Sequence, residues 1–216
     1  MGELFASFNA RLSRARRAFF DDGTMPSGMV PDAVLNSWER SRQRGMRAQD
    51  NRIFMPVSRQ EIGRIEAEER DLIESALPEM ERLRTALGRS GWGIVCTDAQ
   101  GTVLRALYGT GNAFREMDKI FVVGRKLSES AIGTNGPGCA VIEGQPMIVR
   151  AAEHFLEETH PFTCASVPLF GPAGQVVGVG QAGGRVLGGE AGDVVGGAHG
   201  LLQRGAGEVG RAGIAP

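Results

Sequence analysis

Apolar residues recur along this chain with two different periods, and the change of period divides it. Up to about residue 90 the spacing is helical. Phe5, Phe8, Leu12 and Phe19 fall on one side of residues 4–20, with Arg11, Arg14, Arg16 and Arg17 on the remaining surface. Such a basic amphipathic helix can lie on an acidic surface or a membrane; docking on its own domain is the plainer expectation. Gly, Pro and Asp make residues 21–31 a linker. A helix follows over residues 32–44, with Val34, Leu35 and Trp38 on its apolar face and Arg40, Arg42 and Arg44 suiting its C-terminal end. A lone basic helix without a helix-turn-helix partner reads as packing rather than DNA recognition. Ser58 and Glu61 form a capping box. Behind it Ile62, Ile65, Leu72, Ile73, Leu77, Met80, Leu83 and Leu87 hold a helical stripe through residues 58–90. Pro78 predicts a kink near 76–78 or two abutting helices.

Beyond residue 91 the pattern shortens to strand-length runs. Residues 92–97 and 102–108 read as a hairpin turned at 98–101, and 164–170 and 176–179 as a second one turned at 171–174. Trp92 is expected in the core. Residues 112–119 suit a short helix, followed by an apolar run at 120–123. Between the hairpins, Ser128 is a possible helix cap and residues 132–135 form a polar turn. A short helix then runs from a Gly136 cap through Pro137 to Gly144. Pro146 prevents its resumption, 147–149 reads as a buried strand, and 153–158 as one more helical turn. The fold class is α+β: an antiparallel sheet flanked by helices, with an N-terminal helical extension. Loop, helix and strand over 127–169 wrap a small concave site. The expected division is 1–57 helices and linkers, 58–90 a long connecting helix, 91–180 the sheet domain, and 181–216 a Gly-rich, disordered tail. Residues 180–216 hold 13 of the 32 glycines and no aromatic residue. At ~1 kcal/mol per glycine, no long helix is expected there, and the stretch reads as an altered frame or a degraded terminus.

A net charge of −1 gives no global attraction for nucleic acid or membrane. With no run of 18 apolar residues and no secretory leader, a cytoplasmic protein is expected. Cys96, Cys139 and Cys164, without CxxC spacing, read as reduced, buried thiols. His154, His160 and Cys164 are all ligand types, but H-x5-H-x3-C fits no usual zinc module. Cys164 with His160 as base lacks an orienting acid. The phosphate-loop pattern GxxxxGK[ST] is absent. The expectation is no metal, no cofactor and no catalysis.

SESAIGTNGPGCAVIEGQP from Ser128, AEHF from Ala152 and FTCASVPLFGPAGQVVGV from Phe162, with SWERSRQRG from Ser37, resemble one family. It is the GAF sensory domain of bacterial acetoin- and dihydroxyacetone-type activators that work with sigma-54. The resemblance covers roughly residues 30 to 180. It implies a GAF-like sheet, a small polar effector of the ketol or diol class, and flanking helices that change packing when it binds. The contacts it suggests are Thr134 and Asn135, Glu153 and His154 at the rim, and Cys164 and Ser166 on the strand. For Asn135 a side chain that fixes its own loop is an equal reading. Helices beside such sensors often pair between subunits, which suggests a homodimer or pairing with a full-length regulator. Those regulators continue into an ATPase module and a helix-turn-helix domain, which do not fit after residue 180. The chain alone is therefore expected neither to hydrolyse ATP nor to bind DNA. A truncated sensor, a lone paralogue and the product of a broken gene stay open. So does one alternative function, since some GAF-fold proteins reduce free methionine sulfoxide through pocket cysteines.

Overall fold

The computed structural model describes residues 2–53, 57–88, 90–109, 117–185 and 191–211. Its sheet follows from the short apolar runs. β1 (Gly93–Asp98) and β2 (Val103–Tyr108) form the first hairpin. β3 (Met147–Arg150) pairs with β4 (Phe162–Phe170), which turns into β5 (Val176–Arg185). β5 then pairs antiparallel with β1, closing the order β2-β1-β5-β4-β3. Alternation along β1 sends Ile94 and Cys96 to one apolar cluster and Val95 to another, so both faces of the sheet are covered. The fold is α+β, the antiparallel, helix-flanked arrangement that the resemblance implied.

On one face lie α1 (Gly2–Arg16) and α2 (Asp32–Gln43). Leu12, Phe19, Val34 and Trp38 share a cluster there with Val95 and Val103. The basic helix thus docks on its own domain: Arg16 donates from Nη1 to the carbonyls of Ala152 and His154, 3.0 Å each, and stands 4.2 Å over the Phe20 ring. The same side carries α5 (Met117–Ile120), α6 (Glu129–Ile132) and α7 (Gly136–Glu143). Of the helix expected over 112–119, residues 112–116 lie outside the described residues. The apolar run at 120–123 closes α5 at Ile120 and enters a turn, into which the Tyr108 hydroxyl donates at Phe121 O, 2.7 Å.

The connecting helix is two helices, α3 (Arg59–Glu68) and α4 (Arg70–Leu87). Ser58 Oγ caps α3, accepting from Glu61 N at 3.2 Å. The break falls at Glu69 and not at Pro78, which sits inside α4. A proline forfeits one helical hydrogen bond, and Leu72, Ala76, Met80 and Leu83, buried on either side of it, hold α4 to the sheet. Much of the apolar stripe of α4 is thereby covered by the chain's own sheet.

The Gly-rich end also departs from expectation. β5 runs to Arg185, and α8 (Ala191–Arg211) follows, with Val195, Ala198 and Leu202 buried beside α4 and the sheet. Composition argued against a helix because intrinsic propensity was the only term visible; burial of an apolar face outweighs it. Two glycines of β5 mark close approaches. A Cβ on Gly178 would stand 2.3 Å from Thr97 O, and one on Gly184 2.7 Å from the Trp92 ring. No helix among the described residues is long and apolar enough to cross a membrane.

Candidate functional site

Two motifs nearly a hundred residues apart meet at α6. Glu129, at its first turn, is 1% exposed. Arg40 grips both its oxygens, Nε to Oε1 and Nη2 to Oε2, each 2.8 Å, and Arg44 Nη1 adds 2.9 Å to Oε1. Arg40 also reaches Glu143 at 3.1 Å. Burial alone would raise the Glu129 carboxyl pKa; hydrogen bonds from Arg40, Ser37 and Arg44 overcome it and leave it lowered. Ser37 Oγ lies 2.8 Å from Thr134 Oγ1 and accepts from Cys139 Sγ at 3.4 Å. Trp38 Nε1 donates to Glu153 O at 2.7 Å. The polar side of α2 is thus built to fasten the 129–153 region, which is why the two motifs occur together.

Immediately inside this clamp lies a cavity of about 350 Å³, part of it open to solvent. Its walls are Ile53, Ile120, Phe121, Leu127, Ile132, Pro137 and Phe162; its polar groups are Asn135, His154, Thr159, Cys164 and Gln181. The helix α7 approaches the strands closely here. A Cβ on Gly136 would lie 2.3 Å from Ser166 Oγ and 2.8 Å from Cys164 Cβ, so only glycine fits. The cap of α7 is Asn135, one residue before the expected Gly136: its Oδ1 accepts from Gly138 N at 3.0 Å. Its Nδ2 donates to Gly133 O at 2.7 Å, so the side chain fixes its own loop while lining the cavity.

Of the six residues expected at the site, Asn135, His154 and Cys164 share this cavity. Thr134 faces Ser37. Glu153 accepts from Arg150 N at 2.7 Å, capping a 3-10 turn at Ala151–Glu153, and its carboxyl pKa is raised by burial. A second 3-10 turn, Glu157–Thr159, takes the place of the single helical turn expected over 153–158. Ser166 Oγ donates to Gln181 Oε1 at 3.2 Å. Gln181 was missed because β5 was expected to stop at 179. The polar residue among small ones, opposite Ser166 in the β4–β5 register, was its available signal.

The cysteines are held as thiols. Cys164 accepts from Gln181 Nε2 at 3.4 Å, and burial pushes its pKa up to about 12. Burial likewise raises Cys139 to about 11. His160 is pushed down to about 4 by burial and by Arg16. A protonated thiol and a neutral imidazole are the reverse of a reactive pair. Among the described residues no group of three His, Cys, Asp or Glu is placed to hold a metal.

The chain is 30% identical over 160 residues to the propane 2-monooxygenase operon transcriptional activator MimR of Mycolicibacterium goodii, covering 74% of this chain and 26% of that protein. It is 25% identical over 164 residues to the acetoin dehydrogenase operon transcriptional activator AcoR of Bacillus subtilis, covering 76% and 27%. The chain thus spans about a quarter of the length of these curated relatives. Among solved structures, the E. coli DhaR(N)-DhaL complex contains a chain that superposes with a TM-score of 0.73 at 20% identity, covering 84% of this chain and 60% of that one; the likeness is one of fold. Residues 9–188 match the model of the MimR N-terminal domain, so that the chain, from its first helix through its last strand, belongs to the MimR N-terminal domain family.

Proposed function

We propose that this domain senses a small polar effector of the ketol or diol class in the cavity beside β4 and β5, on behalf of a transcriptional regulator. One observation carries the reading: cavity and clamp share the same short segment. Ile132 and Asn135 line the cavity, while Glu129 and Thr134, on the same turn, are gripped by α2. An occupant that shifts the segment changes the hold of α2, which is the differential contact a ligand needs to bias one arrangement over another. The space between these walls is narrow, which favours a small effector over a large one. An acetoin-operon activator among the relatives is what suggests the ketol class. The DhaR complex with DhaL supports a protein partner for the domain, and we place that partner as another regulator subunit.

A thermal-shift screen of acetoin, dihydroxyacetone, glycerol, short diols and methionine sulfoxide tests this, with each compound's concentration followed over time. A hundredfold excess over Kd stabilises the folded state by ~2.7 kcal/mol, raising Tm by roughly 5–10 °C. A stabilising ketol or diol that stays intact supports sensing. Loss of methionine sulfoxide that stops in Cys164→Ser would replace sensing with reduction.

A further inference from the structure

We propose that His154 determines the specificity of this cavity, its Nε2 lone pair accepting a hydrogen bond from a hydroxyl group of an uncharged effector. The inference rests on the sensing reading above and adds the chemistry that selects the ligand. His154 is 2% exposed and lines the cavity. Its Nδ1 stands 2.9 Å from Ala151 O. A carbonyl only accepts, so Nδ1 carries the ring hydrogen and Nε2 is left as a lone pair. That carbonyl is held in place by a backbone turn in which Ala151 takes φ 46°, a conformation a non-glycine residue adopts only where its surroundings impose it. Among the described residues nothing hydrogen-bonds to Nε2.

The other groups in the cavity narrow the ligand further. Asn135 spends one amide hydrogen and its oxygen on Gly133 and Gly138, and Gln181 is tied to Ser166 and Cys164. The Thr159 hydroxyl hydrogen goes to Leu156 O at 2.7 Å, so Thr159 too offers lone pairs. Among the described residues no Lys, Arg, Asp or Glu lines the space, and a charged ligand there would be buried without a counterion from them. Burial keeps the imidazole neutral, with a pKa lowered to about 4; the Ala151 bond opposes the shift, and His160 and Arg16, the ionisable groups facing His154, add to it. Asn135 and Gln181 each keep one amide hydrogen, so the selection falls at His154 and Thr159: a hydroxyl placed there is accepted, whereas a carbonyl there would set lone pair against lone pair.

The test uses 2,3-butanediol, acetoin and 2,3-butanedione, one carbon skeleton with two, one and no hydroxyl groups, and lactate as the charged control, measured by calorimetry. The diol or ketol is expected to bind at least ~10-fold more tightly than the dione and lactate. His154→Asn keeps a donor toward Ala151 O and removes the acceptor, so the preference should collapse to within ~3-fold. His154→Gln, with an oxygen near the Nε2 position, should keep part of it. Wild-type affinity should stay level between about pH 5.5 and 8, because the ring does not ionise there, whereas an ordinary histidine would titrate near ~6.5. A dione that binds as well as acetoin, a preference that survives His154→Asn, or an affinity midpoint near 6.5 overturns the role of His154 and leaves sensing intact. Failure of the wild type to bind any of the series or of the wider screen removes the sensing reading and this one with it. Should His154→Asn fail to fold, the wild-type ketol–dione comparison and the pH profile decide.

Discussion

Arg40 meets Glu129 through both carboxylate oxygens at 2.8 Å, across 89 residues of sequence. The two partners are unequally buried: the Arg40 side chain is 27% exposed and Glu129 1%. Removing either one therefore has different consequences. Arg40→Ala leaves a buried carboxylate with Arg44 and Ser37 and should cost about 2–4 kcal/mol, somewhat below a fully buried pair that loses a partner. Glu129→Gln leaves two arginines able to rehydrate and should cost about 1–2 kcal/mol. Urea denaturation of both variants checks the order; equal costs would mean the pair is not held as described.

The same pair gives a pH dependence. The Glu129 pKa is lowered in the folded state, so its stabilisation is complete above the unfolded value near 4.5 and disappears as pH falls through the folded value. The stability gap between wild type and Glu129→Gln should be constant from pH 6 to 8 and close in acid. A gap that widens below pH 4.5 would contradict the sign.

For α8 the expectation is that Leu202→Ala costs about 2–4 kcal/mol, as a core truncation does. A terminal segment without packing would show no change. Glycines of α8 and α7 differ in their surroundings. A Cβ on Gly196 or Gly197 meets nothing within 4 Å, so alanine there should stabilise by about 0.5–1 kcal/mol each. Gly136→Ala, wedged against Ser166 and Cys164, should instead destabilise by ~1–3 kcal/mol. Thermal melts of the three single variants separate these outcomes.

Arg16 binds three carbonyls, those of Ala152, His154 and Phe155. A lysine is a point charge without the planar fork that spans them, so Arg16→Lys should cost roughly 1–2 kcal/mol. Hydrogen exchange should then quicken in residues 151–156. Unchanged exchange there would show that α1 does not support this turn.

Much of this was legible beforehand for identifiable reasons. Local rules are strong where residue type dictates backbone: the 98–101 hairpin turn, the Ser58 cap and the helix at Asp32–Gln43 all follow from side-chain chemistry within four residues. The wrong readings share a different cause. The extension of β5, the packing of α8 and the place of the break between the two abutting helices, at Glu69 and not near Pro78, depend on partners distant in sequence, and propensity cannot see them. The site was half visible for the same reason. His154, Cys164 and Asn135 stood out as chemistry-bearing residues in the marked segment. Gln181 lay beyond the expected strand end, and Thr134, Glu153 and Ser166 were drawn away by Ser37, Arg150 and Gln181, bonds that sequence spacing does not announce.

The grip of α2 on the 129–153 region sets where this molecule can be cut. A fragment trimmed to the sheet, starting at residue 58, would keep every wall of the cavity except Ile53 and still lose Ser37, Trp38, Arg40 and Arg44. Glu129 would then face water or protonate, and the Glu153 carbonyl would lose its indole. On the sensing role proposed above, the sheet and its helices would transplant only with the first fifty-odd residues attached, and a chimera joined after them would inherit the cavity without the helix that grips its 129–153 side.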